Sequence, residues 1–239
     1  MHATIQKPIQ EIVKYIKPGE KVFVVGCNNC AWKCHSGGVD ETKMMAERLS
    51  RRGIEVVGYT VPGPQGMSLC KLDHTEKVLK EDFADLVAKA DSFLVLSCGQ
   101  GVHTVIDATG GGMVHPGCDT IFGGETVSAT DIEEFCSLCG ECVIEFTGGL
   151  CPMTLCSKQL LNGPCGGAEK GKCEVDSERN CGWVMIYERL KKLGRLDLLD
   201  SYQKPKNHAK WSRPRSLRVS TTEATFSSQA GKVTVSNQE

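Results

Sequence analysis

The 239-residue chain is predicted to be an α/β protein with three parts. Short apolar runs alternate with helical patterns over residues 1–125, which predicts a parallel-sheet domain of the flavodoxin or Rossmann type. Eight of the 14 cysteines lie between Cys136 and Cys181, which marks residues 126–200 as a small cysteine-rich domain. After Tyr202 the sequence is rich in Ser, Thr, Lys and Arg, so residues 201–239 are expected to form an extended or disordered basic tail.

Strands and helices of the first domain are predicted from length and periodicity. Strands are expected at Lys21–Val25, Ile54–Val61, Ser92–Leu96 and Thr120–Phe122. Helices are expected at Glu41–Arg52, with Asp40 as its cap, at Thr75–Ala90 and at Val102–Ala108. This order predicts a parallel sheet with helices on both faces, in which the first and third strands are neighbours.

Cysteines follow the predicted strands at their carboxyl ends, where open parallel sheets collect ligands. The five that we assign to this edge are Cys27, Cys30, Cys34, Cys70 and Cys98. The spacing C-x-x-C-x-x-x-C and the loops that converge on it predict a metal site made of Cys27, Cys30, Cys34 and either Cys98 or Cys70. We favour Cys98. Cys118 precedes the predicted fourth strand, so it is expected at the opposite edge as a structural thiol.

Other interpretations of this first cysteine group stay open. A thioredoxin-like dithiol or buried core cysteines would explain part of the pattern. The segments Gly26–Asp40 and Gly99–Val105 also have glycines ahead of helix starts, as phosphate-binding turns do. Neither segment has the G-x-G-x-x-G fingerprint, and cysteines occupy the space of a pyrophosphate. Nucleotide binding is therefore the weaker interpretation.

The second domain begins after a linker at Glu125–Asp131 and opens with a C-x-x-C-x-x-C run. Its eight cysteines are Cys136, Cys139, Cys142, Cys151, Cys156, Cys165, Cys173 and Cys181. Cys151 is followed by Pro152, so the run resembles that of a bacterial ferredoxin with an enlarged last gap. Eight thiolates suffice for two four-cysteine sites, although the spacing leaves their division open. Few apolar residues accompany them, so bound metal is expected to help hold this domain together.

A helix is expected to close this second domain. Its apolar face would consist of Trp183, Ile186, Tyr187, Leu190 and Leu193. We interpret this face as packing rather than as a binding surface.

Compartment and charge narrow the possible functions. Residues 1–10 have neither a basic nor an apolar signal region, so we expect a cytoplasmic protein, in which dense cysteines indicate metal or redox chemistry rather than disulfides. No apolar run approaches the roughly 20 residues of a membrane span. From Ser201 onward seven basic residues face two acidic ones, a net charge of +5. Without a nucleic-acid motif, an acidic patch on the chain itself or on a partner is the expected target of this tail.

Two sets of motifs resemble a known family. Cys151-Pro-Met-Thr-Leu-Cys156, Leu-Asn-Gly-Pro-Cys165-Gly-Gly, Gly171-Lys-Cys173 and Cys181-Gly-Trp-Val-Met-Ile-Tyr resemble the methylenetetrahydrofolate reductase C-terminal domain. Upstream, Val25-Gly-Cys27 and Ser97-Cys98-Gly-Gln-Gly-Val are similar to MetV-type subunits. The resemblance covers about residues 20–200. It implies an iron-sulfur subunit with two or three 4Fe-4S clusters that passes electrons to a MetF-type flavoprotein.

In that family the partner carries FMN or FAD and performs the folate chemistry, so no catalytic residue is expected in this chain. Further electron-donating subunits would complete the complex. One alternative is a zinc-binding assembly module for the same complex, since thiolates bind zinc equally well and zinc does not transfer electrons. In a variant of this alternative, one site binds zinc and the other sites bind clusters. The other alternative is a cluster-bearing enzyme with its own substrate at Cys98.

Overall fold

The computed structural model describes residues 1–220 and 223–236 and divides into two compact units, Met1–Ile132 and Glu133–Glu239. Unit 1 contains a four-stranded parallel sheet, as predicted, and the protein is mixed α/β. Within the described part of the chain, no helix has the length and apolar character needed to cross a bilayer.

The parallel sheet of unit 1 confirms three predicted strands. Its strands are β2 (Lys21–Gly26), β3 (Glu55–Thr60), β4 (Ser92–Leu96) and β5 (Met113–Pro116), in the order β3-β2-β4-β5. The first and third predicted strands, β2 and β4, are neighbours in parallel register, as expected. All of β4 and nearly all of β2 are buried, because the sheet is covered on both faces.

Six short helices accompany this sheet. They are α1 (Ile9–Val13), α2 (Cys30–Lys33), α3 (Val39–Ser50), α4 (Leu72–Lys77), α5 (Ala84–Val87) and α6 (Gly99–Ala108). Met45 and Leu49 of α3 pack in one apolar cluster, and Val105 of α6 belongs to a second cluster. The predicted cap of α3 is wrong, because Gly38 is the N-cap and Asp40 lies in the first turn. In the first turn its negative charge interacts favourably with the positive end of the helix dipole.

The predicted helix Thr75–Ala90 is interrupted. A π-helical turn at Val78–Asp82 follows α4, and α5 begins at Ala84. Leu79 is buried and Phe83 and Leu86 pack against the same apolar cluster. The extra residue of a π turn rotates the following segment, so the helical pattern in the sequence predicts a longer element than the chain forms.

The prediction that Thr120–Phe122 forms the fourth strand of the parallel sheet is wrong. Thr120–Phe122 lies in β6 (Cys118–Gly123), which pairs antiparallel with β1 (His2–Gln6) outside the parallel sheet. The fourth parallel strand is β5, which contains His115 and Pro116 and resembles a loop by composition. The His115 imidazole is buried, and its Nε2 lies 2.9 Å from Glu20 Oε1. This hydrogen bond offsets the cost of burying a polar side chain in the strand.

Unit 2 has its core around the predicted closing helix. The short strands β7 (Glu125–Thr126) and β8 (Ile132–Glu133) end the preceding segment, and the unit then forms α7 (Pro152–Leu155), β9 (Lys172–Cys173), β10 (Asp176–Asn180) and α8 (Gly182–Leu193). Single 3-10 turns lie at Ile144–Thr147, Leu196–Asp200 and His208–Trp211. Trp183, Ile186 and Leu190 are buried together with Phe146, whereas Tyr187 and Leu193 are largely exposed. Three of the five residues predicted for the α8 face therefore pack in a small apolar core, and the other two do not.

The C-terminal segment differs from the extended arm expected of it. Strands β11 (Ser216–Val219), β12 (Glu223–Ser228) and β13 (Gly231–Ser236) form an antiparallel sheet. Apolar residues alternate with polar ones at Leu217 and Val219 and again at Val233 and Val235. Gly231, with φ of +102°, begins the last strand. The alternation is present in the sequence but is outweighed there by the polar composition.

Candidate metal centres

The cysteines of unit 1 meet at the carboxyl edge of the sheet. Cys27 directly follows β2, and Cys98 follows β4 as the N-cap residue of α6. Cys30 begins α2 and Cys34 ends it. Cys27 and Cys98 are buried, while Cys30 and Cys34 are half-buried. The two loops are brought together because β2 and β4 are adjacent parallel strands.

Backbone amides of β1 bind two of these thiols. The His2 amide donates to Cys30 Sγ at 3.4 Å, and the Thr4 amide donates to Cys34 Sγ at 3.4 Å. Burial raises the pKa of Cys30; the His2 hydrogen bond opposes this, and the thiols of Cys27 and Cys98 add to it. Cys27, Cys30 and Cys98 are thus near enough to interact electrostatically.

A glycine lets the first cysteine loop fold back against the end of β4. The Cys27 amide donates to the Gly37 carbonyl at 2.7 Å, which closes the loop between them. A Cβ atom at Gly37 would lie 2.0 Å from the carbonyl oxygen of Leu96, the last residue of β4. Only glycine allows this approach of two backbones, so Gly37 sets the distance between the loop of Cys27 to Cys34 and the strand that precedes Cys98.

Cys118 and Cys70 differ from this group. The prediction that Cys118 lies at the opposite edge is wrong, because it follows β5 at the carboxyl edge. Burial raises the pKa of Cys118 to about 12, and its thiol donates to the Ser36 carbonyl at 3.4 Å. Burial thus keeps this thiol protonated, as in a structural cysteine. Cys70 lies exposed in the long loop after β3.

The first three cysteines of unit 2 lie in a loop, residues 136–142, here called the cysteine loop. Leu138 has a φ of +55°, and its amide donates to Cys136 Sγ at 3.4 Å. Burial acts to raise the pKa of Cys139, but a backbone hydrogen bond at Glu141 and the ammonium of Lys206 outweigh it, and the pKa is lowered. The surroundings of Cys139 thus favour a thiolate, the form that binds metal.

Three later cysteines share a neighbourhood around the start of α8. Cys156 ends α7, Cys173 lies in β9 and Cys181 is the N-cap of α8. The Cys181 amide donates to the Gly171 carbonyl at 2.8 Å, and Cys173 Sγ lies 3.6 Å from the hydroxyl of Ser157. Gly182 allows α8 to approach α7, since a Cβ there would lie 2.6 Å from the Leu155 carbonyl oxygen.

The two remaining cysteines of unit 2 border this neighbourhood in the sequence. Cys151 is the N-cap of α7, and the Thr154 hydroxyl donates to its Sγ at 3.6 Å. Cys165 is exposed in the loop that follows Pro164.

All 14 cysteines are free thiols. Within residues 1–220 and 223–236, no three or more His, Cys, Asp or Glu side chains stand together in an arrangement that would hold a metal ion. The donor set itself fits an iron-sulfur cluster or zinc, since both take four thiolates and several of these sulfurs already accept backbone amides. The chain therefore supplies the ligand chemistry of such a group without displaying its coordination geometry.

Sequence reasoning missed the residues that contact the cysteine loop from the C-terminal segment. Glu141, between Cys139 and Cys142, binds the Asn207 amide and the Lys210 ammonium. Both contacts lower the pKa of Glu141, the Asn207 hydrogen bond most. The available signal was a carboxylate within a cysteine run, combined with a basic tail. The tail was expected to meet an acidic patch on the chain itself or on a partner, and within unit 2 one of its lysines, Lys210, binds one carboxylate, that of Glu141.

The tripeptide Asn162-Gly163-Pro164 lies beside an apolar cavity of about 550 Å³ in unit 2. Four aromatic residues line it, namely Phe146, Trp183, Tyr187 and Tyr202. The Asn162 side chain donates to the Gln203 carbonyl at 2.9 Å and accepts from its amide at 2.7 Å. Asn162 therefore fixes the start of the C-terminal segment at the rim of the cavity.

Comparison with known proteins bears on these same residues. Residues 115–209 match the family model described as methylene-tetrahydrofolate reductase C terminal. The resemblance predicted from the cysteine motifs is confirmed for this segment. The match contains all eight cysteines from Cys136 to Cys181, Asn162 and the contact between Glu141 and Asn207. No curated protein and no solved structure matches the chain.

Proposed function

We propose that this chain is an iron-sulfur electron-transfer subunit that passes electrons to the flavin of a MetF-type methylenetetrahydrofolate reductase. The observation that carries the proposal is the C-x-x-C-x-x-C run of the cysteine loop inside the segment that matches the reductase C-terminal family. The three cysteines of this loop are free and at least partly exposed, and Cys136 Sγ accepts a backbone amide, as the sulfurs of cluster ligands do.

The proposed ligands fall into two regions. In unit 2 the cysteine loop would supply three thiolates to one cluster, and the neighbourhood of Cys156, Cys173 and Cys181 would supply most of a second. In unit 1 we propose a further site of Cys27, Cys30, Cys34 and Cys98. Bound clusters would supply one-electron transfer, which a flavin can collect for a two-electron reduction. The cysteines would hold and position the centres. In unit 1, backbone amides of β1 donate hydrogen bonds to the sulfurs of Cys30 and Cys34.

The folate and the flavin are assigned to the partner. Unit 1 has a four-stranded open sheet, whereas the barrel expected of the MetF partner has eight strands. The proposed partners are therefore a MetF-type flavoprotein, which binds FMN or FAD, and subunits that donate electrons to this chain. The zinc alternative uses the same thiolates, and the colour of anaerobically purified protein separates the two, because iron-sulfur protein is brown and zinc protein is colourless.

Replacement of Cys139 tests whether the chain conducts electrons. Cys139→Ala removes a ligand of the cysteine loop, so turnover of the complex with its physiological donor should fall at least a hundredfold. Activity of the MetF partner with a small artificial dye should stay within twofold, because the dye reaches the flavin directly. Glu145→Gln, an exposed change in the same unit, serves as the control and should leave both activities unchanged.

Two outcomes would count against the proposal. Donor-driven turnover at the wild-type rate in an assembled Cys139→Ala complex would mean that the electrons take another path. Equal loss of the donor and dye activities would mean that the substitution damages assembly, which favours the zinc-binding module.

A further inference from the structure

The segment of residues 206–215, here called the strap, lies against the cysteine loop within unit 2. The Asn207 amide donates to Glu141 Oε2 at 2.7 Å, and Lys210 Nζ donates to Glu141 Oε1 at 3.1 Å. Arg215 Nη1 donates to the Leu138 carbonyl at 2.7 Å. These contacts span the loop from Leu138 to Glu141, which are three residues apart and enclose Cys139.

A glycine makes this contact close. Gly140 has a φ of +79°, and a Cβ at this position would lie 3.1 Å from the Lys210 carbonyl oxygen and 3.4 Å from Lys210 Cβ. The backbone of the cysteine loop therefore passes directly beside the backbone of the strap. A side chain at this position would push the two backbones apart, so glycine permits the close approach.

The strap brings positive charge to the sulfurs of the loop. The Lys206 ammonium donates to the Glu141 carbonyl, and Cys139 Sγ lies 3.5 Å from that same oxygen. Lys206, Lys210 and Arg215 are half-buried, whereas Arg213 and Arg218 are exposed. The three half-buried cations all contact the cysteine loop: Lys206 and Arg215 bind backbone carbonyls, and Lys210 binds the Glu141 carboxylate.

We infer that the strap holds the cysteine loop in place and that Lys206 is a positioning residue whose ammonium raises the reduction potential of the cluster bound there. The inference rests on the proposed function, because it requires a cluster at the loop. Reduction adds one negative charge to a cluster, and a nearby cation stabilises that charge. Local charge and hydrogen bonds to the sulfurs are among the factors that set cluster potentials.

The test uses the full chain, purified anaerobically, with the cluster potential measured by a spectroscopic redox titration. Lys206→Gln removes the charge, Lys206→Arg keeps it, and Arg218→Gln removes the same charge outside the strap. In Lys206→Gln we expect the ratio of reduced to oxidised cluster at a fixed potential to fall on the order of tenfold, which is about 59 mV for one electron. Lys206→Arg and Arg218→Gln should titrate as the wild type does.

An unchanged potential in Lys206→Gln, with the wild-type cluster content, would overturn the inference. A shift of equal size in Arg218→Gln would also overturn it, since the effect would then be general surface charge. A merely structural lysine would change cluster retention and leave the potential of the remaining cluster unmoved.

If Lys206→Gln fails to fold, trypsin digestion of the wild type still tests whether the strap binds the cysteine loop. The strap predicts slow cleavage after Lys210 in the wild type and faster cleavage after Lys210 in Glu141→Gln. Rapid cleavage after Lys210 in the wild type would contradict the inference that the strap is held against the cysteine loop. A wild type without a cluster would instead refute the proposed function, while the digestion would still report on the strap.

Discussion

Cys98 and Cys70 are the two sequence candidates for the fourth ligand in unit 1, and they differ in place and burial. Cys98 is buried at the carboxyl end of β4, beside the strand that precedes Cys27, whereas Cys70 is exposed in the loop after β3. The thiol of Cys98 also interacts electrostatically with that of Cys30. At the level of single residues, these observations favour Cys98 as the ligand.

Replacement of each cysteine tests this choice. We expect Cys98→Ala to lose the metal of one site, because a four-thiolate centre is left with three ligands. Cys70→Ala, the matched control, should keep the wild-type metal content. The readout is iron and zinc per chain on anaerobically purified protein. The reverse pattern would make Cys70 the ligand and would remove Cys98 from the site.

The sequence located the cysteines at the sheet edge but misplaced Cys118. That error followed from β5, whose buried His115 and terminal Pro116 give it the composition of a loop. The pairing of His115 with Glu20 that makes this strand possible joins residues 95 positions apart, and such a contact leaves no local pattern. The contact of Lys206 with the cysteine loop was hidden for the same reason.

At the scale of elements, regular apolar patterns predicted β2, β3, β4 and α3 to within about two residues and predicted that a helix, α8, closes the second unit. The pairing of β1 with β6 joins opposite ends of unit 1, from His2 with Gly123 to Gln6 with Cys118, and was not predicted. It matters for the site, because the amides of β1 bind Cys30 and Cys34.

The close approach at Gly37 gives a test of how the elements of unit 1 are held. In Gly37→Ala the new Cβ would meet the Leu96 carbonyl oxygen at the end of β4, so the loop or the strand must move. We expect a loss of about 1–3 kcal/mol in the free energy of unfolding, the usual cost of overpacking, together with weaker metal binding in unit 1. Denaturant unfolding and metal content measure the two effects.

Gly99→Ala is the matched control, because its nearest contact would be the Thr120 hydroxyl at 3.9 Å. It lies at the start of α6, where alanine is well tolerated, so the free energy of unfolding should change by less than about 0.5 kcal/mol. Equal effects of the two substitutions would show that the contact with β4 does not limit stability.

At the scale of the whole molecule, the cysteine pattern and the charge pattern belong together. Residues 1–200 carry a net charge of −6 and the remainder +5, and three of the basic residues beyond 200 contact the cysteine loop. Composition predicted that the tail would bind an acidic group. It could not predict which one, because the attraction of opposite charges has no sequence register, unlike the period of a helix or strand.

Metal analysis with spin counting on the anaerobically purified full chain tests the proposed electron-transfer function most directly. We predict brown protein with at least two 4Fe-4S clusters per chain, iron and acid-labile sulfide in equal amounts, and zinc at no more than one site. Colourless protein that contains zinc and no iron would contradict the proposed function and would identify the chain as a zinc-binding assembly module.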